Sequence, residues 1–376
     1  MFHPIQPLRL TIVLMLLFCS SLLAEPNTVP KKISDSNSQR RQRHFWRNPW
    51  EDFAAQSDDW YKSDEGIQIA NNILSWQSPR GSWPKNTSTT MEPFTGDPKT
   101  LQGTFDNNAT INEIRFLARA FRITKDSRFQ QAILKGIDHI FKAQYPNGGW
   151  PQYYPPGRDY YPADHPQGLD YPKYITFNDN AMVNVMNLIR DVASSPDFAF
   201  IDADRRKSAQ KSFDRGIQCI LKCQIKVKGK LTVWCAQHDE KNLSPRIGRT
   251  YELPSLSGCE SADILELLMS LDKPGPEVRR AIKAGAEWYE SSKITGIRVV
   301  FANGDRVVQK DPNAPPIWAR FYEIETNRPF FSGRDGIKKY SLAEIEQERR
   351  GGYAWYGDWG NSVAKDYAKW KEKNKQ

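Results

Sequence analysis

Three stretches of this chain end a helical pattern in the same way: a glutamine, a turn-forming segment with glycine, then a tryptophan. They read SWQSPRGSWPKN at 75–86, KAQYPNGGWPQYY at 142–154 and KCQIKVKGKLTVWCAQ at 222–237. Trp83 and Trp150 are 67 residues apart, about the length of two helices with their loops. A fourth glycine–aromatic phrase, RRGGYAWYGDW, follows near the C-terminus. Recurrence at a fixed interval marks a fold built from one supersecondary unit used several times. The intervening sequence is helical: in ATINEIRFLARAFRI, residues Ile111, Ile114, Leu117, Ala118 and Phe121 fall on one face. NAMVNVMNLIRDVA and ESADILELLMSL behave alike. Strand-like alternation is scarce, and IRVVFANGDRVV, turning at Asn303-Gly304, is the best hairpin. The expected fold is predominantly all-α: an α/α barrel or toroid of repeated helix pairs, with long loops and a few short strands.

A second repeat lies inside the first. Phe105–Ala109 reads FDNNA and Phe177–Ala181 reads FNDNA, 72 residues later, each directly before an amphipathic helix. Asn and Asp commonly cap helices by accepting from first-turn amides. Capping explains one such residue per helix, not three polar residues in a row. In a barrel, equivalent inner helices start at one rim, so Asp106, Asn107, Asn108, Asn178, Asp179 and Asn180 would converge there. Carboxylate and amide oxygens without His or Cys suit a hard cation, calcium above others. Capping and metal binding both stand at this point.

Before the third inner helix the chain reads RIGRTYELPSLSGCESADI, with Arg246, Arg249, Tyr251, Glu252 and Glu260. No nucleophile-elbow, zincin, phosphate-loop or dinucleotide fingerprint occurs anywhere. Only five histidines are present, which disfavours histidine-based hydrolysis. PPIWARFYEIETNRPFFSGRDG, residues 315–336, sets Arg320, Arg328 and Arg334 among prolines and aromatics. A planar guanidinium binds carboxylates through two bonds, so an acidic sugar polymer fits this inventory better than a neutral one. Arg328 is expected to form a structural ion pair with Glu323 or Glu325.

The N-terminus carries Arg9, an apolar run from Leu10 to Leu23 and then Ala24. Residues 1–24 therefore read as a secretory signal peptide, with no stable membrane anchor, giving a secreted protein in periplasm or medium. Residues 25–60 read as a polar, disordered leader, and 61–376 as the catalytic domain. Export makes disulfides from Cys219 or Cys223 to Cys235 or Cys259 plausible, with zinc held near His238 as the weaker rival. The net charge of +9 and pI near 9.1 suit a polyanion. An exported chain meets acidic polysaccharide far more than nucleic acid, so no nucleic-acid partner is expected.

Five segments, TFDNNATINEIRFLARAF, YPNGGWPQYYP, ITFNDNAMVNVM, RTYELPSLSG and PPIWARFYEIETNRPFFSGRDG, together resemble the pectate lyases of polysaccharide lyase family 10. The resemblance runs in order from about Asp64 to Trp359. It implies a toroid-like α/α fold that cleaves polygalacturonate (pectate) by calcium-assisted β-elimination. It implies Arg249 as catalytic base, Asp106 and Asp179 in the Ca2+ site with Asn107 beside them, and Arg320 and Arg334 as substrate-binding residues. Tyr251, next to the base, joins the substrate-binding set, and a monomer is expected. The loop at 157–172 looks longer than usual, which bears on subsite preference. Elimination suits these residue types: binding the uronate carboxylate to cations stabilises charge that develops when the C5 proton leaves. A glycoside hydrolase, a noncatalytic binding module and a terpenoid-cyclase-like toroid remain the alternatives.

Overall fold

The computed structural model describes residues 49–156 and 171–374. The expected signal peptide, most of the leader and nearly all of the 157–172 loop lie outside the described residues. One compact unit begins at Trp50. Its first helix, α1 (Pro49–Ala54), sets Trp50 and Phe53 edge-on against Phe116, at 6.4 and 5.5 Å. Two aromatic rings bury enough surface to fix the end of a tract that is otherwise polar.

The expected helix pairs are present. After α2 (Asp64–Ser75) come α3 (Ile111–Thr124) with α4 (Ser127–Ala143), α5 (Ala181–Ser194) with α6 (Ala203–Cys223), and α7 (Glu260–Met269) with α8 (Pro276–Ser292). α3, α5 and α7 touch in that order, forming the inner row. Their apolar faces (Ile114, Leu117, Val185, Leu188, Ile264, Leu268) are fully buried in one large core. The helices do not close into a barrel. The arc ends with α9 (Gln347–Gly352) and α10 (Trp359–Lys373), the latter packing on α7 and α8 in place of a further hairpin.

The glutamine–tryptophan phrases prove to be joints. Nε2 of Gln77 donates to Gly81 in its own turn and to Ala132 of α4, at 3.1 and 2.8 Å. Gln144 does the same to Gly148 and to Ser212 of α6, at 3.0 and 2.8 Å. Gln224 reaches Thr232 and Ala281 of α8, at 2.8 and 3.1 Å. Each tryptophan returns its indole N–H to the helix just left: Trp83 to Ile73, Trp150 to Ile140 and Trp234 to Ile220, at 2.7 to 2.9 Å. Carbonyls in the last turns of a helix lack partners within it, and the indoles satisfy them, while the glutamines tie each turn to a mid-helix carbonyl of the next outer helix. We expect Gln144→Leu, similar in size but without hydrogen-bonding atoms, to destabilise the fold by about 2–3 kcal/mol through orphaned buried groups. Urea unfolding reads this, and a parental midpoint would show that the joint carries no stability.

The strand content is larger than alternation suggests. The expected hairpin forms, Ile297–Ala302 with Asp305–Lys310, and both turn residues have positive φ, 52° at Asn303 and 74° at Gly304. The proline–aromatic stretch also pairs: Phe321–Tyr322 lies between Leu256–Ser257 and Pro329–Ser332 in an antiparallel sheet, and Trp318–Ala319 pairs with Tyr356–Gly357. Here prolines at the ends of short strands escape the alternation rule. A second aromatic cluster (Tyr251, Phe321, Phe330, Phe331, Tyr353, Trp355) fills the space under this sheet.

The disulfide expectation is not met: Cys219, Cys223, Cys235 and Cys259 are all free. Cys219 and Cys223, one turn apart on α6, bring their sulfurs to 4.0 Å inside the core, while Cys235 faces the Arg246 carbonyl at 3.7 Å. Among the described residues no helix is long and apolar enough to cross a membrane.

Candidate active site

The two Asn/Asp phrases adopt matching turns. Phe105 and Phe177 plug into the core, and after each the chain makes a short 3-10 turn with two left-handed residues in succession. Their φ values are 52° and 62° at Asn107 and Asn108, and 48° and 62° at Asp179 and Asn180. Asn and Asp are the side-chain-bearing residues that tolerate this conformation best, which is one reason for the repeat. No side-chain cap is made at the start of α3 or α5, so capping does not account for the polar residues. The two turns pack against each other, as convergence at one rim requires.

Their side chains are held tightly. Asp106 is buried; one carboxylate oxygen pairs with Lys85, and the other, Oδ1, is buried with no partner among the described residues. Burial opposes the Lys85 charge, but Asp106 outweighs that and keeps its ammonium above the usual lysine range. Exposed Asn107 donates to Asn86 at 3.2 Å. Asn178 donates to Asp179 at 2.8 Å, and Asp179 accepts from Arg320 at 3.2 Å. Among the described residues no three His, Cys, Asp or Glu side chains gather as a metal group. A cation here would rest on two carboxylates completed by amide oxygens, with the unpartnered Asp106 Oδ1 as the innermost donor. That all-oxygen set fits calcium.

The arginines form the opposite wall. Arg249 is 39% exposed and lies against buried Glu252, which accepts from its backbone N–H at 2.8 Å, Nε at 3.0 Å and Nη2 at 2.5 Å. Burial alone would depress the guanidinium, but the Glu252 carboxylate prevails and holds it above the usual arginine range. Tyr353, fully desolvated and so pushed well above the usual phenol range, donates to Glu252 at 2.9 Å. The Tyr353 ring also carries Arg320, whose guanidinium carbon is 4.5 Å from its centroid. Arg320 is only 5% exposed and pairs with both Glu260 and Asp179, so it lies beneath the rim rather than open at the surface. Its Nε has no partner among the described residues. Arg334 stands outside, 58% exposed, and binds Glu348 through Nε and Nη2 at 3.1 and 3.0 Å. The bonds from Arg349 and Arg334 pull the Glu348 carboxylate down to about 2. The Arg349 and Arg249 guanidinium carbons lie 4.7 and 5.1 Å from the Tyr251 ring centroid.

The predicted residues thus come together: Asp106, Asn107 and Asp179 on one wall, and Arg249, Tyr251 and Arg334 on the other, with Arg320 joining the two through Asp179. The two groups are linked by direct contacts: Arg320 donates to Asp179 and lies over the Tyr353 ring, whose hydroxyl donates to the Glu252 that holds Arg249. Lys85, Glu348, Arg349 and Tyr353 belong to the same network and were not singled out by sequence. RRGGYAWYGDW was noticed as a repeat, yet its partners are about a hundred residues away, so only the fold reveals its role. Two expectations are corrected. Arg328 pairs with neither Glu323 nor Glu325; it lies over the Tyr340 ring at 3.5 Å, because Lys338 and the Tyr340 hydroxyl occupy Glu323. His238 is no zinc ligand, since both ring nitrogens are used, by the Leu243 carbonyl and the Cys235 N–H.

A family model described as pectic acid lyase matches residues 77–364. The chain belongs to that family. Its fold is similar to that of a family 10 polysaccharide lyase from Cellvibrio cellulosa, at 31% identity and TM-score 0.70, covering 83% of this chain and 95% of that one. An aspartate-to-alanine mutant of a family 10 polysaccharide lyase from the same organism, in complex with trigalacturonic acid, matches at 32% identity and TM-score 0.73, covering 83% and 96%. No curated protein matches the chain. The resemblance read from the five segments is thereby borne out. In this lyase the matched span contains every predicted site residue, and Lys85, Glu348, Arg349 and Tyr353 as well.

Proposed function

We propose that this lyase cleaves polygalacturonate by β-elimination, with Arg249 taking the C5 proton and calcium held between Asp106 and Asp179. The observation that carries the reading is the placement of Arg249: Glu252 fixes one edge of its guanidinium, the side chain stays 39% exposed, and Glu252, Tyr353 and Arg320 link it to Asp179. Elimination asks for a base over one face of the sugar and for positive charge at the uronate carboxylate. Calcium, when bound, neutralises that carboxylate and acidifies the adjoining C–H bond. Asp106 Oδ1, Asp179 and the amide oxygen of Asn107 would hold it. Neutral Arg249, formed when its guanidinium gives up a proton to solvent, would take the C5 proton; the C5–H electron pair forms the C4–C5 double bond, and the C4–O4 bond breaks with its electrons going to O4, which takes a proton from solvent. Arg334 is placed to orient a uronate carboxylate at the mouth, and Tyr251 offers a ring between two guanidinium groups. If Asp179 turns toward a cation, Arg320 is released to face substrate; until then it is a buried counter-charge.

The arc of helix pairs supports an incomplete α/α toroid, with the cleft at the rim where inner helices begin. The apolar N-terminal run ending at Ala24 supports export, and the charge of +9 suits an anionic polymer. Growth of ultraviolet absorbance on polygalacturonate is the decisive measurement, because only elimination creates a conjugated unsaturated uronate. Saturated reducing ends without absorbance would indicate a hydrolase, and binding without either product a noncatalytic module.

A further inference from the structure

Behind the calcium wall the protein carries a second basic cleft that the reaction does not use. Its volume is about 660 Å³, and Arg80, Lys135, Asp138, His139, Lys142 and Tyr154 help line it. We propose that this cleft is a second uronate-binding site, which holds acidic polymer away from the bond being broken. The proposal deepens the polygalacturonate reading and rests on it for the class of ligand.

The cleft is distinct from the reacting site. Tyr153 turns toward Lys85, whose Nζ is 5.7 Å from its ring centroid, while the next residue, Tyr154, lines the basic cleft. Pro151 and Tyr153 both form β-bridges, so the segment is extended and adjacent side chains point to opposite faces. The two sites lie back to back across it.

Its chemistry suits a charged sugar. Lys135 and Lys142 sit seven residues apart on α4, roughly 10 Å along the helix axis, and neither pairs with a carboxylate among the described residues. The acid in the wall, Asp138, is matched by Arg205 at 3.3 Å. The net field is therefore positive over a length that spans more than one carboxylate. His139 is 2% exposed, and its Nε2 has no partner among the described residues. Burial, with Arg80 and Lys142 nearby, holds its imidazole down to about 4, so it is neutral at working pH. A neutral imidazole carries one N–H and one acceptor nitrogen, and the unpartnered Nε2 lies in a residue of the lining. A buried acceptor without a donor is costly, and a sugar hydroxyl is a fitting donor. Half-buried Tyr154, with its ring centroid 5.7 Å from that of His139, adds an apolar edge for the sugar ring. A neutral polysaccharide would satisfy His139 but leave the cations unmatched.

The test is the Lys135→Ala/Lys142→Ala double variant, which removes two exposed side chains. Its kinetics are compared on trigalacturonate and on polygalacturonate by ultraviolet absorbance. We expect trimer kinetics to be unchanged and the polymer KM to rise about tenfold, with Lys135→Arg/Lys142→Arg restoring it. An unchanged polymer KM overturns the site. An equal rise on the trimer overturns its separation from the reacting bond. Retardation in polygalacturonate gels, with the same double change placed in Arg249→Ala protein, reads binding without turnover. Should the parent enzyme form no unsaturated ends, the lyase reading falls, while an undiminished retardation of the double variant is what removes the cleft.

Discussion

Arg249→Ala is expected to lower turnover of polygalacturonate on the order of 10³-fold while leaving polymer binding close to parental, with some loss of thermal stability because buried Glu252 loses its paired cation. Arg249→Lys should fall nearly as far, because lysine cannot keep one edge on Glu252 and present another to C5. The pH profile makes the expectation specific. A carboxylate or histidine base is fully deprotonated by neutral pH, so its rate levels off there. Arginine becomes a base only as its proton is lost, and Glu252 favours retention of that proton. The parental rate should therefore climb through pH 8 and continue beyond about 9. Glu252→Gln removes the opposing charge, lowers the pH at which neutral Arg249 forms, and should move the rising limb to lower pH, with a smaller maximum because an anchoring charge is lost. A parental profile flat from about pH 6 to 9, or an Arg249→Ala enzyme with normal turnover, would assign the proton to another group.

Loss of the calcium wall is the second large effect. Asp106→Asn and Asp179→Asn preserve shape but remove charge from the hard-cation set. Each is expected to reduce turnover at fixed calcium on the order of 100-fold and to shift the calcium midpoint upward by about tenfold or more. Chelator should silence the parent and calcium restore it. Calcium titration calorimetry gives a readout apart from activity: the midpoint should weaken in both variants. Unaltered calcium binding in both would place the cation elsewhere. The two substitutions differ in what they expose. Asp106→Asn leaves Lys85 with a neutral partner, whereas Asp179→Asn loosens Arg320, which still has Glu260. A modest loss of stability is therefore expected for the first and less for the second.

Much of this was legible in the sequence because the fold repeats itself. The glutamine–glycine–tryptophan phrases announced the joints, and FDNNA with FNDNA announced the rim, since identical spacing before inner helices can only mean equivalent places. What sequence could not supply was the contact between distant segments. Tyr353 touches Glu252 across 101 residues, and Arg320 reaches Asp179 across 141. Nothing local in RRGGYAWYGDW or PPIWARFYEIETNRPFFSGRDG distinguishes a ring that supports a guanidinium from one that fills a core. The same limit explains Arg320, read as an open fork and found buried against Glu260. Closure of the barrel was over-read because the repeat count gives hairpins, not how the last one is sealed. The disulfides were over-read because spacing and compartment favour pairing, whereas Cys219 and Cys223 face each other as free thiols one helical turn apart and Cys235 faces the Arg246 carbonyl.

The glutamine joints also give the chain a direction. Each one completes its bonds only when the next outer helix has arrived: Gln77 waits for α4, Gln144 for α6 and Gln224 for α8. A unit made early is left with unmet donors until its successor docks, and at the middle joint the successor depends on it in turn, since Ser212 and Arg215 donate to the Gln144 side-chain oxygen. As the polypeptide emerges from its N-terminus, order should therefore lag one hairpin behind synthesis and lock in steps. A chain cut after α6 would stall with Gln224 unanswered, whereas one lacking α2 would lose packing but no joint of the later units.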